Sequence, residues 1–138
     1  MAQQLEARLV NEYISQNFPY SPQWRRVRLG PLPDKLNANM YKSALRWADA
    51  VVIGNGVVVI IEAKMTADTG AIGQLDYYAD LFSRTPEFSL YWRLPVKKLF
   101  LTAVDDQQLR SYCAEKGVEY VFFCPPWAKL YLKKRFNY

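Results

Sequence analysis

The 138-residue sequence contains no histidine. Without imidazole there is no Ser-His-Asp or Cys-His pair, no His-based nuclease metal site and no zinc site drawing on His ligands. Any catalysis falls to carboxylates, lysine, tyrosine or a cation held by oxygen. Cysteine is nearly as scarce: Cys113 and Cys124 are too few for a four-cysteine zinc site or a cluster, and they read as two reduced thiols in a cytoplasmic protein. Long apolar runs are also missing. The longest, Ala50 to Ile61, is broken by Gly54-Asn55-Gly56 and flanked by Asp49 and Glu62, so it does not span a bilayer. Met1 to Val10 carries Glu6 and Arg8 where a signal peptide would be apolar. There is no repeat, low-complexity stretch or linker, which leaves residues 1–138 as one expected domain.

What is present is a chain 51% hydrophobic, long enough to bury a core without disulfides or a structural metal. Its net charge of +5 is unevenly placed. Arg25, Arg26 and Arg28 fall in one short segment, and Lys129, Lys133, Lys134 and Arg135 fall in the last ten residues, read as a basic tail over about 127–138. Such clusters point to a polyanion partner. The plainer alternative is a solvated strand edge and a soluble tail.

The pattern along the chain alternates helix and strand. Leu5, Leu9, Tyr13 and Ile14 recur at helical spacing over residues 3–16, and Pro19 and Pro22 end that helix. Trp24 to Leu29 alternates as a strand, and residues 31–44 read as a long loop or short helix. Arg46 to Ile53 and Val57 to Lys64 form a hairpin around Asn55-Gly56, and the second strand, apolar on both faces, belongs at the centre of a covered sheet. A helix over 70–82, a strand over 98–103, a helix capped by Asp105 or Asp106 and closed by Gly117, and a last strand over 118–123 complete the order. The expected class is α/β, with a mixed central sheet flanked by helices.

Two acids and a lysine stand out at the strand ends. Glu62 and Lys64 are two apart after a β-branched run, so on a strand they share a face. Asp49 lies on the partner strand, and the turn brings it opposite position 61 or 62. Paired carboxylates are how a protein without histidine holds Mg2+ or Mn2+ with water positions left open. Lysine beside them can orient a water or neutralise developing phosphorane charge. A salt-bridged strand end explains Glu62-Ala63-Lys64 equally well when the triplet is taken alone.

Asp49, followed thirteen positions later by Glu62-Ala63-Lys64, resembles the motif of the PD-(D/E)XK nuclease superfamily, and the element order resembles its αβββαβ restriction-endonuclease-like core. The resemblance covers roughly residues 3–123. Glu6 matches the acid that many members carry on the first helix, and Gln74-Leu75-Asp76-Tyr77-Tyr78 matches the Q-x-x-x-Y signature of the RecB-like branch. Ala48 stands where the motif name has Pro, and two cysteines imply a cluster-free form.

The resemblance implies Mg2+- or Mn2+-dependent hydrolysis of DNA. It implies Asp49 and Glu62 as metal ligands, the Ala63 carbonyl as a third, Glu6 as an outer ligand, Lys64 as the water-activating or charge-stabilising group, and Gln74 and Tyr78 as substrate-positioning residues. Arg25, Arg26, Arg28, Lys42, Arg46, Lys133, Lys134 and Arg135 are candidate phosphate contacts. Tyr41 and Trp47 are candidate stacking residues, although an aromatic beside a strand more often serves packing. Trp127 and Tyr131 extend a DNA surface or cover a sheet edge in a partner subunit. The chain leaves little room for a target-recognition domain, which favours recognition of DNA structure or ends, with a homo-oligomer as one route. Repair, recombination, phage DNA processing and defence all accommodate such an activity. The alternatives are a catalytically inactive nucleic-acid-binding module on the same fold and a structural assembly subunit.

Overall fold

The computed structural model describes residues 2–31 and 46–138. In chain order these form α1 (Ala2–Asn17), β1 (Gln23–Leu29), β2 (Arg46–Gly54), β3 (Val57–Lys64), α2 (Gly70–Phe82), a 3-10 segment (Pro86–Tyr91), β4 (Val96–Thr102), α3 (Gln107–Glu115), β5 (Val118–Phe122) and α4 (Pro126–Phe136). The five strands make one sheet in the order β1-β2-β3-β4-β5. β1, β2 and β3 pair antiparallel, whereas β3, β4 and β5 pair parallel. The expected mixed sheet flanked by helices is therefore observed.

The turn chemistry accounts for the hairpin. Asn55 and Gly56 adopt φ of +55° and +75°, the pair of positive values a tight two-residue turn demands. That turn sets the register Gly54↔Val57 through Ala50↔Ile61. β3 is central and buried from Val58 to Ala63, as its unbroken apolar run requires.

Each face of the sheet carries its own core. Val58, Ile60, Phe100 and Tyr120 pack under Ile72, Leu75, Phe82, Leu109 and Cys113 of α2 and α3. Val59, Ile61, Leu99 and Leu101 pack under Leu9, Val10, Ile14, Ala128 and Leu132 of α1 and α4. β3 and β4 are parallel neighbours, so a crossover must join them; α2 and the 3-10 segment supply it.

At α3, Asp106 is the cap: its Oδ1 accepts from the Leu109 N–H at 2.9 Å, and Gly117 closes the element with φ +69°. Asp106→Ala is expected to cost about 1 kcal/mol, read as a shift of the urea midpoint at unchanged slope.

The order expected from the sequence ends with the strand over 118–123, just before Pro125-Pro126, and the structure adds a helix. Proline is also well suited to the first helical position, where no N–H is needed, and α4 begins there. Lys133, Lys134 and Arg135 are thus the last turn of a helix rather than a tail, placed where cations complement the exposed carbonyls. Trp127 lies against its own chain. Its indole N–H donates to Glu12 Oε1 at 2.9 Å, and the Arg8 guanidinium sits 4.2 Å from its ring centre. Tyr131 packs on the α1–α4 core.

Candidate active site

The β2–β3 ladder ends at Ala50↔Ile61, and one step further Asp49 would face Glu62. β3 instead continues with β4 alone, through Glu62↔Phe100, Ala63↔Leu101 and Lys64↔Thr102. The strands fork, and the fork frees backbone groups on β3. Asp49 fills it by accepting from the Ala63 N–H through Oδ2 at 2.8 Å. An acid at position 49 thereby satisfies a buried donor that a strand partner would otherwise take.

Glu62 is 5% exposed and, with Thr85 and Thr102, one of few buried polar residues among those described. Its Oε2 meets no hydrogen-bond donor among the described residues. Burial pushes its carboxyl up to about 9, and the negative charge and contact of Asp49 push the same way; Lys64 opposes this, and Glu6 adds to it. Glu6, on α1, is also held above the usual carboxylate range, first by burial and then by Asp49 and Asp68, against Lys64 and a hydrogen bond to the Met65 backbone. Glu6, Asp49, Glu62 and Lys64, named separately from the sequence, thus share one electrostatic cluster. Lys64 is half-buried at the end of β3.

Alternation along the strands fails at one rung beside this cluster. Trp24 and Val27, three apart on β1, both reach the α2 layer, as do Ala48 and Val51 on β2. Regular strands bring positions two or four apart to one face. The slip falls at Arg26 and Asp49, the rung missing between Arg25↔Ala50 and Val27↔Ala48. Irregularities of this kind re-aim side chains next to active sites.

Asp49 opens into a cavity of about 430 Å³ lined by Gln3, Ala7 and Asn11 of α1 and by Arg25 and Arg26 of β1. The sequence reading missed Gln3, Asn11 and Asp68. The first two were legible: Gln3 and Asn11 recur at i and i+8 with the small Ala7 between them, a non-core stripe beside the apolar one. Asp68 carried a weaker signal, an acid two residues before a helix, where its Oδ1 accepts from the Gly70 N–H at 2.8 Å.

No family model matches the chain, and no curated protein matches it in sequence. Solved structures do. A repair endonuclease from Pyrococcus abyssi superposes with a TM-score of 0.53 at 17% identity, over 86% of this chain and 47% of that one. The fold is restriction-endonuclease-like. A complex of EndoMS with double-stranded DNA gives 0.51 at 16% identity, over 86% of this chain and 44% of that one. Can2 from Sulfobacillus thermosulfidooxidans, bound to cyclic tetra-adenylate, gives 0.51 at 14% identity, over 86% and 31%. The chain thus spans less than half the length of each of these proteins, and the likeness is one of fold.

Within this restriction-endonuclease-like fold, residues 65–69 lead from β3 directly into α2, so Gln74, in the second turn of α2, lies toward the cluster's end of the sheet. Gln74 is exposed and Tyr78 is buried in the α2 core, so Gln74 is the member of that pair open to a ligand. Trp47, two residues before Asp49, is 46% exposed. Lys133, Lys134 and Arg135 are exposed on α4. Tyr41, Lys42 and the side chain of Arg46 lie outside the described residues. No described helix is long and apolar enough to cross a membrane.

Proposed function

We propose that this chain is a Mg2+- or Mn2+-dependent DNA nuclease that hydrolyses phosphodiester bonds, directed by DNA structure or ends rather than by sequence. The observation that carries this reading is the buried Glu62 carboxyl, with an oxygen that no donor reaches among the described residues, set beside Asp49 at the strand fork. A buried carboxyl oxygen without a donor, beside a second carboxylate, is costly in a core and needs a reason. The available donors are all oxygen, the chemistry of a hard cation. Among the described residues no three acidic, Cys or His side chains are drawn together tightly enough to enclose a metal ion. Mg2+ does not need that: it commonly binds through one or two carboxylates and keeps several waters. The oxygen donors here suit such an ion: Asp49, Glu62 and the Ala63 carbonyl would hold it, with Glu6 as an outer group.

A bound cation would polarise a phosphoryl oxygen and make a water more acidic. The remaining work belongs to the chain. Asp49 keeps one oxygen on the Ala63 N–H, which fixes its carboxylate plane at the fork. Lys64 holds an ammonium two residues from Glu62, where it steadies an attacking water or charge building on phosphorus. Gln74 offers an exposed amide to a phosphate oxygen, and Tyr78, one turn on, supports that face of α2. Trp47 is placed to stack on a base. The repair endonuclease that shares the fold supports the reaction class, and the double-stranded DNA bound to EndoMS, with the basic residues of β1 and α4, supports a nucleic-acid substrate.

The test is a panel of end-labelled linear, circular, flapped and four-way DNAs incubated with Mg2+ or Mn2+ and with EDTA. Metal-dependent shortening from ends or cutting of flaps and junctions is expected. A protein inert on every form with both metals, and giving no heat on Mn2+ titration, would point instead to a binding or assembly role.

A further inference from the structure

We propose that Arg26 anchors a backbone phosphate of the substrate strand next to Asp49, and that its left-handed backbone is retained for that task. The inference rests on the nuclease reading above and sharpens it, because it separates three arginines that look equivalent in sequence.

Arg25 and Arg28 are already engaged. The Arg25 guanidinium donates to Asn11 Oδ1 at 2.7 Å and to Gln23 Oε1 at 2.8 Å. Arg28 donates to the Gly30 carbonyl at 3.0 Å and pairs with Glu87 at 3.1 Å, which ties β1 to the 3-10 segment. Arg26 is exposed and makes no hydrogen bond or ion pair among the described residues. It is the one member of the trio whose guanidinium meets no partner among the described residues.

Its backbone is unusual as well. Three non-glycine residues have positive φ among those described: Asn55 at +55°, Asn137 at +58° and Arg26 at +48°. The asparagines sit in a tight turn and at a helix C-cap, where that residue type tolerates the conformation. Arg26 has no such excuse, since it lies within a strand and carries a long side chain. Strain of this kind persists where it serves a site. The register of β1 and β2 sets it opposite Asp49, at the one rung of that ladder left unpaired.

The surface agrees. Arg25 and Arg26 line both the 430 Å³ cavity that holds Asp49 and a second cavity of about 480 Å³ bordered by Trp24, Arg28 and Phe88. A strand laid along the edge of β1 would cross Arg26 in passing from one to the other. Glu87, the acid bordering the second cavity, is neutralised by Arg28.

Arg26→Gly removes the guanidinium and relieves the backbone together, so fold and function should part. Cleavage of a labelled DNA flap with Mg2+ is followed over a range of NaCl concentrations, with binding measured in Ca2+ and melting in the same buffer. For Arg26→Gly, KM is expected to rise about tenfold with little change in kcat, and the slope of log affinity against log salt to become shallower by about 0.7–0.9, one phosphate contact. Its Tm is expected to equal or exceed that of the wild type. Arg26→Lys should recover part of the affinity, and Arg110→Gln, remote from the site, should change neither KM nor slope. A wild type that cleaves, with an Arg26→Gly variant unchanged in KM and salt slope, overturns this inference alone. So does an Arg26→Gly variant that melts several degrees lower, which would make Arg26 a structural residue. A wild type that neither cleaves nor binds DNA overturns the inference and the nuclease reading together.

Discussion

Glu62→Ala and Lys64→Ala should each lower metal-dependent DNA cleavage by on the order of 10²–10³-fold or more, the usual effect of removing one preorganised charge from a transition state. The two losses should differ in kind. Glu62→Ala takes away a proposed ligand, so its Mn2+ titration should weaken along with its rate. Lys64→Ala leaves Asp49 and Glu62 in place, so metal should still bind while kcat collapses, the pattern of an interaction made only in the transition state. Because the two residues act on one phosphate, the double variant should lose little more than either single one. Calorimetry for the metal and single-turnover cleavage for the rate separate these outcomes. Equal metal affinity in wild type and Glu62→Ala would remove Glu62 from the ligand set.

Glu62→Gln should stabilise the metal-free protein at pH 8, by about 1–3 kcal/mol for a buried group whose charge lacks a partner, or roughly 3–12 °C in Tm for a domain of this size. The sign follows from the direction of the shift. The folded carboxyl titrates near 9 and the unfolded one near 4.5, so the folded state prefers the protonated form. That preference is fully present below about pH 4.5 and is lost as pH rises toward 9. Glu6, raised in the same direction, adds to the trend. In EDTA the wild type should therefore melt at falling temperatures between about pH 5 and 9, and Glu62→Gln should flatten the profile. Saturating Mn2+ should raise the wild-type Tm at pH 8, because a ligand of the folded state stabilises it by mass action. A wild-type profile flat over that interval in EDTA would show that Glu62 is not held protonated by its surroundings.

The two predictions concern residues that local reasoning had already singled out, and the reason is geometric. A strand puts every second side chain on one face whatever it pairs with, so Glu62 and Lys64 had to point the same way. Asn55-Gly56 sets the hairpin register through its own backbone preferences, which brings Asp49 opposite Glu62 without reference to the remainder of the chain. The element order followed from equally local signals, except at α4. There a proline pair reads as an ending or a beginning, and only the packing of Ala128 and Leu132 beside α1 decides.

Other properties were out of reach because they depend on partners distant in sequence. Whether Asp49 and Glu62 bridge a lysine or face each other in a buried fork depends on where β2 leaves β3, and on the Ala63 N–H that the departure frees. The three arginines of β1 are alike in type and spacing. They become different because Asn11, 14 residues away, takes one, and Glu87, 59 residues away, takes another.

By itself, then, the sequence narrowed the chemistry open to the chain: with no histidine and two cysteines, the proposed hydrolysis falls to an oxygen-held cation and a lysine. It also singled out the strand ends proposed to carry that chemistry. The tertiary structure decided how the groups are tuned and which arginine of β1 is left without a partner among the described residues. Burial, strand divergence and long-range pairing set the pKa of Glu62 and the environment of Arg26, and these are properties of the whole packed sheet rather than of any segment within it.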